Sequence, residues 1–157
     1  MTDHPWQQES VIQQSQRLIN SFQHWTKRPL MAIASSAEEQ ARSLFEASFV
    51  VVSHGTEADP IFNYGNAQAL NLWGFDWKTF TQLPSRRSAE LLEQTERDRL
   101  LSEAKIRGYI DNYRGVRISS TGQRFAIEDV ILWDVLDENY QCCGQAATFA
   151  HWNLIYL

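Results

Sequence analysis

The chain has only two cysteines, Cys142 and Cys143, and they are adjacent. Neighbouring cysteines rarely bond to each other and no third thiol is available within the chain, so a disulfide framework is excluded and a reducing cytoplasm is expected. Long apolar runs are missing too, and none approaches the ~18 residues that a membrane span requires. The start, Met-Thr-Asp-His-Pro-Trp-Gln-Gln-Glu, has neither the basic nor the apolar region of a secretion signal, which adds to the expectation of a soluble domain with no membrane partner. Positive charge is in deficit: 14 Lys and Arg face 19 Asp and Glu, a net charge of −5. Lys27-Arg28 and Arg86-Arg87 are isolated spots rather than a stripe, which argues against a nucleic-acid partner. Catalytic signatures are absent as well, with no nucleophile elbow, phosphate loop, zinc spacing or Ser-His-Asp order. Glu128 and Asp129 are consecutive on what reads as a strand, so they should face opposite sides and cannot work as a carboxylate pair. The chain therefore reads as a non-enzyme.

What is present suits one globular domain: 157 residues, 43% hydrophobic and 12% aromatic, with six tryptophans to fill a core or line a cavity. Residues 5–27 place Val11, Ile12, Leu18, Ile19, Phe22 and Trp25 at helical spacing, which predicts an amphipathic helix ending before Pro29. Ser35 and Glu38 suggest a capping box for a second helix through Phe45. Phe49–His54 reads as a buried strand, and Ile61–Tyr64 as an edge strand started by Pro60. Asn66 can cap a helix over Ala67–Trp73 that Gly74 stops, and Asp76 caps another short turn up to Pro84. Ser88 should open a longer helix over 89–107, closed by Gly108.

The last third alternates instead. Tyr109–Ser119, Gln123–Leu136 and Tyr140–Leu154 read as three strands joined by Ser120-Thr121-Gly122 and Asp137-Glu138-Asn139, an antiparallel meander. With the early pair this gives an α+β fold, a five-stranded antiparallel sheet with helices between strands 2 and 3. Strict alternation would put Phe125, Ile127, Ile131 and Trp133 on one face and Ala126, Val130 and Leu132 on the other. Both faces then need covers, since a half-exposed sheet alternates apolar with polar.

Four blocks identify the arrangement more closely. His54-Gly55 with Asp59-Pro60-Ile61-Phe62-Asn63-Tyr64-Gly65-Asn66 is the first, and Leu83-Pro84-Ser85-Arg86-Arg87-Ser88-Ala89-Glu90 the second. Gly108-Tyr109-Ile110-Asp111-Asn112-Tyr113-Arg114-Gly115-Val116-Arg117-Ile118-Ser119 and Gly144-Gln145-Ala146-Ala147 complete the set. Together they resemble the MEKHLA domain, a PAS-like module that closes plant class III homeodomain–leucine zipper transcription factors and also occurs as free-standing bacterial proteins. The chain has no homeodomain and no leucine heptads, so it is similar to the free-standing form. The resemblance divides it into an N-terminal helical extension, 1–34, and a MEKHLA/PAS-like domain, 35–157. Helices within 5–45, or a second subunit, would cover the second face of the sheet.

The resemblance implies sensing or partner binding, with the cofactor left unknown. An adduct-forming flavin photosensor of this fold needs a cysteine where Leu83–Glu90 stands, and none is there. A haem-binding relative takes a histidine from the longer helix, yet residues 66–150 contain none. His54 and His151 could meet across adjacent strands, but they belong to no ligand cluster and read as structural. Cys142 and Cys143 have no basic neighbour in sequence to favour a thiolate and read as packing residues.

The candidate ligand-binding residues are Asn63, Tyr64, Trp73, Ser85, Arg86, Tyr113, Arg117 and Trp133. Asn63 and Tyr64 would line the pocket mouth, and Trp73, Trp77 and Trp133 would form a cage for a flat ligand unless they are simply core. Ser85, Arg86, Arg87 and Ser88, joined by Tyr113 and Arg117, would hold a carboxylate or phosphate; the alternative is a helix cap with an arginine paired to Glu128 or Asp129. The expected function is a sensory domain for a small molecule or partner, signalling through dimer or partner contacts along the stripe Val11–Trp25. The alternatives are a ligand-free interaction module and a small isomerase- or dehydratase-like enzyme using Asp129 or His54 as base.

Overall fold

The computed structural model describes residues 4–32, 36–88, 98–99, 102 and 107–156. Turn chemistry sets its sheet. Strands β3 (Tyr109–Ile118) and β4 (Arg124–Leu136) are joined by a turn in which Gly122 takes φ +83° and its N–H donates to Ser119 O. From β4 to β5 (Cys142–Phe149), the Asp137 carboxylate accepts from the N–H of Asn139 and of Gln141, which closes the reversal. β1 (Val50–His54) and β2 (Phe62–Gly65) form the early pair, and the antiparallel order is β2-β1-β5-β4-β3. β6 (His151–Ile155) continues β5 along β4 in the same register and is interrupted only at Ala150, so the last expected strand is present in two segments. The free edge of β2 is met by Leu83–Ser85, where Phe62 N–H donates to Leu83 O and Ser85 N–H to Pro60 O.

Three irregularities decide which side chain faces which way. Ile110 lies opposite Leu132, Tyr113 opposite Val130 and Gly115 opposite Ile127, so β3 carries one extra residue and then β4 does. Asn112 and Asp129 supply those bulges at φ 56° and 53°, a left-handed conformation that asparagine and aspartate tolerate better than most residues. Each bulge flips the side from which the subsequent side chains emerge. Phe125 and Ile127 therefore share a core with Val130 and Leu132, while Ile131, Trp133 and Val135 pack on the opposite face. The grouping expected from unbroken alternation is corrected by Asp129. A third shift sets His54 opposite Phe62 but Ser53 opposite Tyr64, so Asn63 is the extra residue and Phe62 and Tyr64 go to opposite faces.

One face is covered by α1 (Glu9–Thr26) and α2 (Ala37–Phe45). Val11, Leu18, Phe22 and Leu44 pack there with Val51, Tyr64, Trp133, Val135 and Ala146. Ser15 and Ser21 are buried in the same interface because each hydroxyl donates to a carbonyl of its own helix. α1 ends at Lys27, whose φ of 62° is the left-handed stop that precedes Pro29. The cap of α2 is Ser36, which accepts from Glu39 N–H, rather than Ser35, which lies outside the described residues. The stripe Val11–Trp25 is thus occupied by the chain's own sheet, and this corrects its expected role as an exposed dimer face.

The other face is covered by α3 (Ala67–Trp73), α4 (Trp77–Phe80) and a 3-10 turn over Ser85–Ser88. The helix expected over 89–107 lies outside the described residues except at 98, 99, 102 and 107, which are helical.

Gly108 shows how closely α1 is fitted. It takes φ +87°, and a Cβ there would stand 2.3 Å from the Trp25 ring. Trp25 Nε1–H donates to Asp134 O, and Asp134 N–H donates to Gly108 O. Gly108→Ala combines an unfavourable backbone region with overpacking, so a loss of about 2 kcal/mol or more is expected in urea denaturation. A midpoint equal to wild type would show that Trp25 moves aside freely.

Candidate functional site

Between the sheet and the α3 side lies a cavity of about 50 Å3, bounded by β1, β4 and β5, the end of α3 and the 3-10 turn. That is room for a few waters or a compact organic molecule, well below the ~300–1,000 Å3 of drug-sized sites. Its walls are mainly apolar, with Val52, Phe62, Ile127, Val130, Leu132 and Phe149 prominent.

Trp73 is placed by both ends of its helix. Asn66 begins α3 by accepting from Ala69 N–H. At the other end Gly74 takes φ +79°, Ser120 N–H donates to Trp73 O and the Ser120 hydroxyl donates to Gly74 O. The indole then meets Phe125 edge-on at 5.2 Å between ring centres. Trp73 is 2% exposed, and its Nε1–H has no hydrogen-bond partner among the described residues. A buried donor without an acceptor is costly, so this one is a point of interest.

Arg117 enters from β3, on the face that the Asn112 bulge selects. It is 6% exposed. Its Nη1 donates to Val116 O at 2.8 Å and its Nη2 to the Tyr113 hydroxyl at 3.1 Å, while the guanidinium carbon stands 5.6 Å from the Tyr113 ring centre. No carboxylate pairs with it among the described residues. Gly115 sits between these two residues; a Cβ on it would be 2.6 Å from the Tyr113 hydroxyl.

Of the residues singled out in the sequence, Trp73, Ser85 and Arg117 line this cavity and Tyr113 adjoins it through Arg117. Arg86 does not, since it is exposed and ion-paired to Asp59 at 3.1 Å. Asn63 is exposed on the α1 side and accepts from the Ser53 hydroxyl. Tyr64 is buried beneath α1, and its phenol is pushed far up by that burial. Trp133 is buried there too, with Nε1–H donating to Ser21 Oγ at 3.0 Å. The three-tryptophan cage is therefore divided, with Trp73 on one face and Trp77 and Trp133 on the other.

His54 reaches the cavity wall, its Nδ1 2.9 Å from Gly55 O. His151 stands opposite Glu128 on a strand that does not neighbour β1, so the two histidines do not meet across adjacent strands. Asp129 is exposed and faces a separate groove with His151. Burial pushes the Cys143 thiol up, which disfavours a reactive thiolate. Gln145, which donates to Asp134 from the cavity wall, is not among the residues that the sequence singles out. Its position in the Gly-Gln-Ala-Ala block is the signal that could have found it.

The described helices include none long and apolar enough to cross a membrane. Several solved structures share the architecture. The PAS domain of a protein from Colwellia psychrerythraea is 17% identical at a TM-score of 0.60, over 75% of this chain and 95% of that one. An RNA-binding light-oxygen-voltage receptor reaches a TM-score of 0.63 at 16% identity over 78% of this chain, which spans only 36% of that longer chain. A light-oxygen-voltage domain from work with a flavin analogue gives 0.58 at 12% identity, over 75% of this chain and 85% of that one. At such identities the likeness is one of fold, and the fold is that of a PAS domain. No curated protein matches the sequence. The MEKHLA domain matches residues 12–154, from inside α1 to the end of the sheet, and the chain belongs to that family.

Proposed function

We propose that this chain is a sensory domain that takes a compact small molecule into the cavity beside Trp73 and answers through α1. The observation that carries this reading is the mainly apolar cavity with the Trp73 indole in its wall, an indole whose buried Nε1–H has no hydrogen-bond partner among the described residues. Leaving such a group unmet costs about 1–3 kcal/mol, and a ligand acceptor that drew the indole toward the cavity would recover it. β4 gives the signal a route: Leu132 lines the cavity while Trp133, the next residue, packs under α1. A ligand that prefers one arrangement of these side chains would shift the population of docked α1 and so its contacts with a partner or second copy.

Native mass spectrometry of the protein purified from its source tests this directly. A compact bound molecule that is lost on denaturation is expected. Apo protein only, with a melting temperature that no small molecule moves, would leave the ligand-free interaction module, a reading that the modest cavity volume favours. The enzyme reading has less support. No carboxylate among the described residues lines the cavity, and Asp129 faces elsewhere.

A further inference from the structure

We propose that the ligand is a compact monocarboxylate anchored by the Arg117 guanidinium, an assignment that rests on the sensory reading above. A guanidinium stays charged in a protein, and burying a charge costs several kcal/mol unless an opposite charge or several hydrogen bonds compensate. Arg117 is 6% exposed, yet its partners are a backbone carbonyl, a neutral phenol and the face of that phenol's ring. Two of its five N–H donors are used, neither on an anion. The missing partner is negative, and the planar fork matches a carboxylate through two parallel bonds. The Trp73 indole lines the same cavity and would pack against the ligand, and its Nε1–H has no partner among the described residues.

The remaining walls set the rest of the ligand. No acidic side chain among the described lining residues opposes an anion or competes for Arg117. Phe62, Ile127, Leu132 and Phe149 call for a hydrocarbon body. One arginine neutralises one charge, and about 50 Å3, well under the ~150 Å3 that holds a benzene ring, limits the body to two or three carbons. Phosphate fits less well, because its extra oxygens would face apolar walls and the Ser88 hydroxyl already donates to Ser85 O.

Thermal-shift and calorimetric titrations of the full chain with acetate and propionate, against acetamide, propionamide and inorganic phosphate, test the assignment. Wild type should bind an acid and ignore its amide, a comparison that needs no variant. R117M, checked for folding by circular dichroism, should weaken the acid at least about tenfold. R117K keeps the charge without the fork and should fall between, and W73F should weaken binding several-fold. Amides binding as well as acids, phosphate binding in place of them, or an unaffected R117M would each overturn the carboxylate assignment while leaving the sensory reading intact. A neutral ligand in the source-purified protein would do the same. If no acid binds and the purified protein carries nothing, both readings fall.

Discussion

Replacing Asn66 with alanine is expected to cost about 3 kcal/mol or more, a large share of the roughly 5–15 kcal/mol that holds a domain folded. One side-chain amide there serves three elements. Its Oδ1 accepts from Val51 N–H at 3.1 Å and Ala69 N–H at 3.2 Å, and its Nδ2 donates to Leu44 O at 3.1 Å and Phe49 O at 2.8 Å. The residue is 0% exposed, so alanine would strand Val51 N–H, Ala69 N–H and Phe49 O out of reach of bulk water, while Leu44 O keeps a longer bond from Ala47 N–H. Each unmet group costs about 1–3 kcal/mol, whereas losing a helix cap alone costs about 0.5–2 kcal/mol. Asn66→Asp separates the two contributions. It keeps the acceptor that caps α3 but sets a carboxylate against the carbonyls of Leu44 and Phe49, so it should be nearly as damaging as alanine at pH 7. The deficit should shrink as the pH falls far enough to protonate the introduced carboxyl, which can then donate to one carbonyl. Urea midpoints across that range measure both effects. A loss below about 2 kcal/mol for Asn66→Ala would mean that the stranded backbone groups find other partners.

Asn66 also shows how far sequence carries. Its cap is legible, because Asn before Ala67–Trp73 and Gly74 after it are local signals. Its bonds to Leu44 and Phe49 are not, since they join residues 22 and 17 positions apart and exist only once α2 and β1 are placed. The meander is legible through Gly122 and Asp137, whose turn chemistry acts on near neighbours. Bulges have no such mark. Asn63, Asn112 and Asp129 look like ordinary polar positions in a strand, yet each reverses the facing of the residues after it. That is why the sequence pattern sets Trp73, on a helix, on the cavity side but puts Tyr64 and Trp133, beyond bulges, on the wrong face. Arg86 differs again. Its pairing with Asp59 depends on how the Leu83–Ser85 segment lies along β2, which no local pattern specifies.

Trp133→Ala should cost about 3–5 kcal/mol and should loosen α1 before it loosens the sheet. The indole is 0% exposed, meets Phe22 edge-on at 5.0 Å and bonds Ser21, so its ring contact and its hydrogen bond both go to α1. Beyond the apolar packing of Val11 and Leu18, that helix is tied by Trp25 to Asp134 O, by Gln14 to Ser53, by Gln16 to Gln40 and by an Arg17–Glu138 pair at the surface. Arg17 holds the Glu138 carboxyl below its usual range; that contribution is present above the ordinary carboxylate pKa, fades as pH falls through the lowered value, and is screened by salt. It cannot replace a buried indole. Hydrogen exchange should therefore show α1 amides opening first in Trp133→Ala, with β1, β4 and β5 still protected. Trp133→Phe, which keeps most of the packing but leaves Ser21 Oγ without its donor, should lose about 1 kcal/mol. The same experiment bears on the proposed relay. If Leu132→Ala, a change on the cavity side of the same strand, also raises exchange in α1, then β4 couples the two faces as proposed. If it leaves α1 protection unchanged while lowering global stability, the cavity and the helix are independent, and a ligand beside Trp73 would have no route through β4 to the N-terminal helix.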